Sequence, residues 1–125
     1  MFSVLIVDDN PSMAAALGDI LVVKGFETFM ASSGVEAMRI LGEHSIDVLL
    51  TDVIMPEMDG VELYRRTRQA HPHLITILMT AYAADELIQQ GMAEGIKTVL
   101  TKPIDIDFLI LLLSTYKKRK SAEDS

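Results

Sequence analysis

The chain has 125 residues, half of them hydrophobic, and a formal net charge of −7 at pH 7. This length suits one domain with its own core, and the composition excludes disorder outside the tail. The acidic balance disfavours a nucleic-acid surface, which needs clustered Lys and Arg. Because cysteine is absent, disulfides, thiol nucleophiles and cysteine-ligated metals are excluded.

The N-terminus enters an apolar run directly, without a basic region before it. No segment approaches the roughly 18 consecutive apolar residues of a membrane span. We therefore expect neither a signal peptide nor a membrane helix, and we expect a cytoplasmic location.

The first half of the chain predicts three strands separated by two helices. The β-type segments are Ser3–Val7, Phe26–Ala31 and Ile46–Thr51. Asn10 and Pro11 are a typical N-cap and first residue of a helix, which Gly25 ends. The predicted buried side of this helix is mostly apolar and consists of Met13, Leu17, Ile20, Leu21 and Lys24. Ser33 and Glu36 form a capping box at the start of the second helix.

The second half continues the alternation. A third helix begins at Asp59 and Gly60 and is closed by Pro72. The later segments are a fourth strand at Leu74–Met79, a fourth helix at Ala83–Met92 and a fifth strand at Lys97–Leu100. Asp105 caps a last helix that contains the apolar run Phe108–Leu113.

Five strand–helix units predict an α/β fold, a parallel sheet with helices on both faces. We expect a doubly wound (βα)5 arrangement with strand order 2-1-3-4-5, in which ligands bind beyond the carboxyl ends of the strands. The domain is predicted to cover residues 1–120, with 121–125 as a linker or disordered tail.

Polar residues follow four of these strands where each strand ends. Asp8 and Asp9 follow the first strand, Asp52 the third, Thr80 the fourth and Lys102 the fifth. A lone Asp in such a position is usually a helix cap or a turn residue. Their joint occurrence at four strand ends favours a functional site instead.

The chemistry of this set indicates a divalent cation and a phosphoryl group. Two carboxylates about 4 Å apart repel by about 4 kcal/mol at an effective dielectric constant near 20. The ammonium of Lys102 offsets part of this repulsion. An all-oxygen ligand set suits Mg²⁺, with Mn²⁺ as the second candidate. One carboxylate is then able to act as a nucleophile toward a phosphoryl group.

Four stretches together resemble one known family. They are Leu5–Asn10, Thr51–Gly60, Met79–Ala81 and Thr101–Pro103. In this order the chain resembles a response regulator receiver domain, the phosphoacceptor module of two-component signalling. The resemblance covers about residues 2–119 and implies a flavodoxin-like fold. It also implies a sensor histidine kinase or a phosphotransfer protein as the partner that supplies the phosphoryl group.

The resemblance implies a role for each site residue. Asp52 is the phosphorylated residue, Lys102 binds the phosphoryl group and Thr80 is the switch hydroxyl. Asp9 ligates Mg²⁺ directly and Asp8 largely through water. The remaining implied ligands are the Asp52 carboxylate and the backbone carbonyl of Ile54. A cis Lys102–Pro103 peptide bond is expected as well, since proline is the residue before which a cis bond costs little.

Two positions raise questions about the switch. The family commonly places an aromatic residue three positions before the lysine, where this chain has Val99. The usual aromatic relay is therefore missing, and we expect the switch to run through the fourth helix or another side chain. Tyr82 follows Thr80 by two residues. Tyr82 is thus expected beside the phosphoryl site, and our hypothesis is that its ring slows attack by water and lengthens the lifetime of a phosphorylated state.

The apolar run Phe108–Leu113 leaves two interpretations open. The last helix is buried on more than one side, or it forms a homodimer or partner surface together with the fourth helix.

The sequence is compatible with three classes of function to different degrees. The leading one is a phosphorelay module that modifies itself and does not turn over external substrates. An aspartate-nucleophile phosphatase or phosphotransferase would need a second carboxylate where Ile54 stands. A flavin-binding domain would need a phosphate loop rich in Ser, Thr and Gly where the acidic Asp8–Asn10 stretch stands. A degenerate receiver that only binds partners is a further variant.

Overall fold

The computed structural model describes residues 1–82 and 85–124, which form a five-stranded parallel sheet with helices between the strands. The strands are β1 (Ser3–Val7), β2 (Glu27–Ala31), β3 (Val48–Asp52), β4 (Ile75–Thr80) and β5 (Thr98–Thr101). The helices are α1 (Pro11–Val23), α2 (Gly34–Glu43), α3 (Gly60–Thr67), α4 (Glu86–Glu94) and α5 (Ile106–Asp124). The spatial strand order β2-β1-β3-β4-β5 confirms the predicted topology.

Strand register brings the carboxyl ends of β1 and β3 to the same edge of the sheet. Val7 lies opposite Thr51, so Asp8 and Asp52 each come one residue later on neighbouring strands. Asp52 lies opposite Met79 of β4 in turn. Every residue of β1 and β3 is buried, as expected for central strands of a parallel sheet covered on both faces.

Alternate residues of β1 enter the cores on opposite faces of the sheet. Val4 and Ile6 pack with residues of α1 and α5, whereas Leu5 and Val7 pack with residues of α2 and α3. A third cluster lies between β4, α3 and α4. It contains Val53, Val61, Tyr64, Leu78, Ile88 and Ile96, with Leu87 and Val99 packed against it.

The predicted buried side of α1 is partly wrong. Met13 and Ile20 are exposed, and the helix buries Ala14, Gly18 and Leu21 instead, with Leu17 half-buried. The small side chains of Ala14 and Gly18 let the helix lie close to the sheet. Hydrophobicity alone favours the larger residues and so assigns the wrong side.

The predicted helix caps are present. Asn10 Oδ1 accepts hydrogen bonds from the N–H groups of Ser12 and Met13. In α2, Ser33 Oγ accepts from the Glu36 N–H, but the Glu36 carboxylate accepts from Ser32 and does not return to Ser33. Asp59 and Asp105 accept from the third residues of α3 and α5. Each cap satisfies a donor that has no partner within its helix.

The fourth helix begins later than predicted. Asp85 is its N-cap and Glu86 its first residue, whereas the sequence predicts Ala83–Met92. The first two residues of that prediction, Ala83 and Ala84, lie outside the described residues.

The last helix is long, and its apolar run is only partly buried. Leu109 and Leu113 are fully buried, whereas Phe108 and Leu111 are 47% and 65% exposed. The helix continues to Asp124, through most of the segment 121–125 predicted as linker or tail. Within residues 1–82 and 85–124, no helix combines the length and hydrophobicity needed to cross a membrane.

Gly60 offers a test of how tightly α3 is seated. A Cβ at this position would collide with the backbone carbonyl of Asp52, and backbone cannot rotate out of the way as a side chain does. We expect Gly60→Ala to lower the free energy of unfolding by about 2 kcal/mol through overpacking. Urea denaturation followed by circular dichroism measures this change.

Gly42 provides the matched control, because a Cβ there would meet nothing within 4 Å. Gly42→Ala should raise the free energy of unfolding by about 0.5 kcal/mol through improved helix propensity in α2. A Gly60→Ala variant as stable as the parent would contradict the close seating of α3.

Candidate phosphoacceptor site

Three carboxylates meet beyond the carboxyl ends of β1 and β3. One oxygen each from Asp8, Asp9 and Asp52 lies within 4.8 Å of the others. Asp8 and Asp52 are buried, with 4% and 8% of their surfaces exposed, and Asp9 is exposed. The predicted carboxylate cluster is therefore formed, and its open side is the side of Asp9.

Asp8 is oriented by the start of the first helix. Its Oδ1 accepts a hydrogen bond of 2.9 Å from the Asn10 N–H, a side-chain turn that Asp commonly makes with the residue two positions later. Burial raises the pKa of Asp8, and the charges of Asp52 and Asp9 add to this; the Asn10 N–H and Lys102 lower it without cancelling the rise. The Asn10 N–H and Lys102 thus compensate only part of the cost of a negative charge on Asp8.

Lys102 supplies the positive charge of the site. Its Nζ donates a 2.8 Å hydrogen bond to Asp52 Oδ2 and lies 3.8 Å from Asp8 Oδ2. Burial lowers the pKa of Lys102, but the hydrogen bond to Asp52 and the charges of all three carboxylates outweigh burial and leave the pKa raised. The ammonium therefore stays charged at neutral pH.

Thr80 ends β4 at the same edge of the sheet. Its side chain is buried, and its Oγ1 accepts a 3.0 Å hydrogen bond from the Tyr82 N–H. Its carbonyl accepts from the Lys102 N–H at 2.8 Å, which fixes the start of the β5–α5 loop. Thr80 thus connects the loop of Tyr82 to the backbone of Lys102.

The loop from Asp52 to α3 carries Ile54 on its outer side. The Ile54 side chain is 61% exposed, whereas Met55 and Met58 insert into the core. The Gly60 N–H donates to the Val53 carbonyl at 2.9 Å and closes the loop. Glu57 has a φ of +69°, a left-handed conformation that is uncommon for residues other than glycine.

Two features of the site go beyond the residues that the sequence predicts. The Asn10 N–H holds Asp8, although the sequence assigns Asn10 only as a cap, and the spacing of two residues is the signal for this bond. Thr51 Oγ1 donates to the Asp52 carbonyl at 2.9 Å, a neighbour contact that no sequence motif marks.

The Lys102–Pro103 peptide bond is cis, as the resemblance implies.

The donor set fits a hard divalent cation. Three carboxylates face one ammonium, so negative charge exceeds positive charge in a partly buried position. Every side-chain donor in the cluster is oxygen, which suits Mg²⁺ or Mn²⁺ better than Zn²⁺.

Comparison with known proteins identifies the family. A profile of the response regulator receiver domain matches residues 4–114. The chain belongs to this family. It is a receiver domain of two-component signalling, and the acidic cluster agrees with the phosphoacceptor site of such domains.

Two relatives illustrate the match. Sporulation initiation phosphotransferase F of Bacillus subtilis is 33% identical over 118 residues, which cover 94% of this chain and 95% of that protein. The sensor histidine kinase RcsC of Escherichia coli is 38% identical over 116 residues, which cover 93% of this chain. The receiver domain spans only 12% of the length of RcsC.

Solved structures agree with the fold. A response regulator receiver domain from Clostridium thermocellum superimposes with a TM-score of 0.88 at 30% identity, over 98% of each chain. The response regulator TrrA of Thermotoga maritima, solved in complex with Mg²⁺ and BeF, has a TM-score of 0.80 at 25% identity over 93% of this chain and 99% of that one.

Charge repulsion at the site makes a prediction about stability. Charges about 5 Å apart repel by about 3 kcal/mol at an effective dielectric constant of 20, and Lys102 offsets part of this. We expect Asp8→Asn to raise the free energy of unfolding without Mg²⁺ by about 1 kcal/mol, since the amide oxygen still accepts from Asn10. Urea denaturation measures the free energy of unfolding of the parent and the variant, both without and with Mg²⁺.

Added Mg²⁺ should stabilise the parent more than Asp8→Asn, because a ligand that binds only the folded state stabilises it. Asp19→Asn is the matched control, since Asp19 is an exposed carboxylate of α1 outside the cluster. If Asp8→Asn and Asp19→Asn behaved alike, repulsion within the cluster would be excluded as a cost to stability.

Proposed function

We propose that the domain accepts a phosphoryl group on Asp52 from a phosphohistidine of a sensor histidine kinase or a phosphotransfer protein. The observation that carries this proposal is the 2.8 Å hydrogen bond from Lys102 Nζ to Asp52 Oδ2, with Asp8 and Asp9 beside it. The carboxylate proposed as the acceptor is thus buried, bonded to the Lys102 ammonium and bordered by two further carboxylates.

The transfer step follows from this arrangement. A carboxylate oxygen of Asp52 attacks the phosphorus, the new O–P bond forms as the N–P bond breaks, and the imidazole of the donor leaves with the bonding electron pair. Lys102 exchanges its bond to Asp52 for one to a phosphoryl oxygen and stabilises the charge there. Thr80, at the same edge, supplies the hydroxyl that responds to the new group.

The metal would be held by the carboxylates of Asp8, Asp9 and Asp52 and by the backbone carbonyl of Ile54. Mg²⁺, or Mn²⁺ in its place, neutralises negative charge on the phosphoryl oxygens when bound. The excess of carboxylates over ammonium groups supports this assignment. The complex of TrrA with Mg²⁺ and BeF supports it by similarity.

Self-modification, as opposed to turnover, is the second part of the proposal. The loop that follows Asp52 presents Ile54 where a phosphatase of the aspartate-nucleophile type needs a second carboxylate. We also propose a cytoplasmic location and a domain that covers residues 1–120. The RcsC sensor histidine kinases are much longer than this chain, and their kinase activity forms no part of the proposal.

The output surface is assigned to α4 and α5. Phe108 and Leu111 are large apolar side chains that α5 leaves exposed, which suits a partner or a second copy of the domain. Phosphorylation of Asp52 is expected to alter this surface through the loop that starts at Thr80.

Phosphoryl transfer is tested directly by mass spectrometry. The intact domain is incubated with acetyl phosphate and Mg²⁺, and we expect the added mass of one phosphoryl group. Asp52→Asn should abolish the addition, because an amide is not a nucleophile toward phosphorus at neutral pH. Omission of Mg²⁺ should reduce it strongly.

The matched control is Asp19→Asn, which removes an exposed carboxylate from α1 and should be phosphorylated like the parent. Absence of the adduct from the parent would reject the proposal in favour of a degenerate receiver that only binds partners. An adduct that persists in Asp52→Asn would move the acceptor elsewhere.

Tyr82 makes a prediction about the lifetime of the phosphorylated state. Its ring is 64% exposed and lines a cleft with Thr80, Ile54 and Asp59. If the ring hinders water, Tyr82→Ala should shorten the lifetime about two- to tenfold, a barrier change on the order of 1 kcal/mol. Tyr82→Phe keeps the ring and should match the parent. Equal decay of the adduct in Tyr82→Ala and the parent would remove this role.

A further inference from the structure

The hydrophobic cluster between β4, α3 and α4 shows how α4 is held in the fold. Val99 is half-buried and packs against the cluster that also contains Val53, Leu78 and Ile88. The aromatic ring in this cluster belongs to Tyr64 of α3, which is 9% exposed. The ring therefore approaches α4 from the neighbouring helix and not from β5.

Tyr64 is bonded to the last turn of α4. Its hydroxyl donates a 2.8 Å hydrogen bond to the carbonyl of Glu94, the final residue of that helix. The last carbonyls of a helix have no partner within the helix, so this bond occupies a group that otherwise needs water. Tyr64 thus caps α4 from outside.

The side chain of the same Glu94 is bound to α3 as well. Arg65 donates to it through Nε at 3.1 Å and through Nη2 at 2.7 Å, and Arg68 Nη1 lies 3.5 Å away. The hydrogen bond from Arg65 is the main reason that the pKa of Glu94 is lowered. Paired N–H···O bonds from one guanidinium fix direction as well as distance.

Gly95 lets the two helices approach this closely. It ends α4 with a φ of +126°, and a Cβ there would collide with the Tyr64 hydroxyl. Residues other than glycine rarely adopt this φ. We call the contact of Tyr64 and Arg65 with Glu94 and Gly95 the α3–α4 pin.

The opposite end of α4 is held differently. Its exposed N-cap, Asp85, follows the loop that starts at Thr80, and Tyr82 and Asp85 are joined by a backbone hydrogen bond. A cleft of about 190 Å³ separates this end from the β3–α3 loop, and most of its lining is apolar. The first turn of α4 therefore has adjacent space.

We propose that α4 is anchored at the α3–α4 pin and pivots about it, so that phosphorylation displaces its N-terminal end while its C-terminal end stays on α3. Tyr64 then serves as a positioning residue, because its hydroxyl holds the C-terminal end of α4 on α3. This inference rests on the proposed phosphorylation of Asp52.

Hydrogen exchange of backbone amides tests the pivot. The intact domain is compared with and without Mg²⁺ and beryllofluoride, a phosphoryl mimic. In the parent we expect the mimic to change the exchange rates of residues 85–88. The exchange rates of residues 92–96 should stay within twofold of their values without the mimic. In Tyr64→Phe, which keeps the ring, exchange at residues 92–96 should rise about two- to tenfold, the effect of one lost hydrogen bond.

The mimic should also alter exchange at residues 92–96 in Tyr64→Phe, because the end of the helix is no longer fixed. Tyr116→Phe is the control for the loss of a hydroxyl from a half-buried ring. Arg65→Gln should act like Tyr64→Phe. Its control is Arg66→Gln, since Arg66 pairs with Glu62 on α3 itself. Circular dichroism verifies that each variant is folded.

Three outcomes overturn the inference. One is equal change at both ends of α4 in the parent, and another is parent-like exchange in Tyr64→Phe and Arg65→Gln. The third is an affinity for beryllofluoride at least fivefold higher in Tyr64→Phe, which would mean that the pin opens on activation. Failure of the phosphorylation proposal looks different, because the mimic would then change nothing near Asp52 in the parent either.

Discussion

The structure depends on one electrostatic constraint, the crowding of three carboxylates at a single edge of the sheet. Parallel pairing of β1 and β3 places Asp8 and Asp52 side by side, and burial prevents water from screening them fully. Lys102 compensates for one of the charges. The folded domain therefore holds an excess of negative charge at this edge, which would favour a bound cation.

The surrounding scaffold keeps that edge in place with backbone contacts. The Asp8 carboxylate is held by the Asn10 N–H, and the loop after Asp52 is closed by the bond from Gly60 to Val53. Lys102 is positioned by the carbonyl of Thr80. Each of these contacts uses at least one main-chain group, so the backbone itself helps to fix this edge of the sheet.

Much of this arrangement was predictable from the sequence, because strand ends and caps are local signals. The position of Asp52 after an apolar run and the cap at Asn10 are examples that the structure confirms. The inward side of α1 was not predictable, since packing through Ala14 and Gly18 depends on the distance to the sheet. The bond from Tyr64 to Glu94 joins residues 30 positions apart, and no periodicity encodes it.

At the opposite edge of the sheet, one carboxylate has the full set of partners that the cluster of Asp8, Asp9 and Asp52 lacks. There the Asp47 carboxylate accepts from the N–H of Ser3 at 2.8 Å and from Lys120 Nζ at 2.6 Å, so its charge is matched within the protein. An added cation therefore competes with Lys120 at Asp47 but meets unmatched carboxylates at Asp8, Asp9 and Asp52, so the two ends of the strands differ in what they offer to cations.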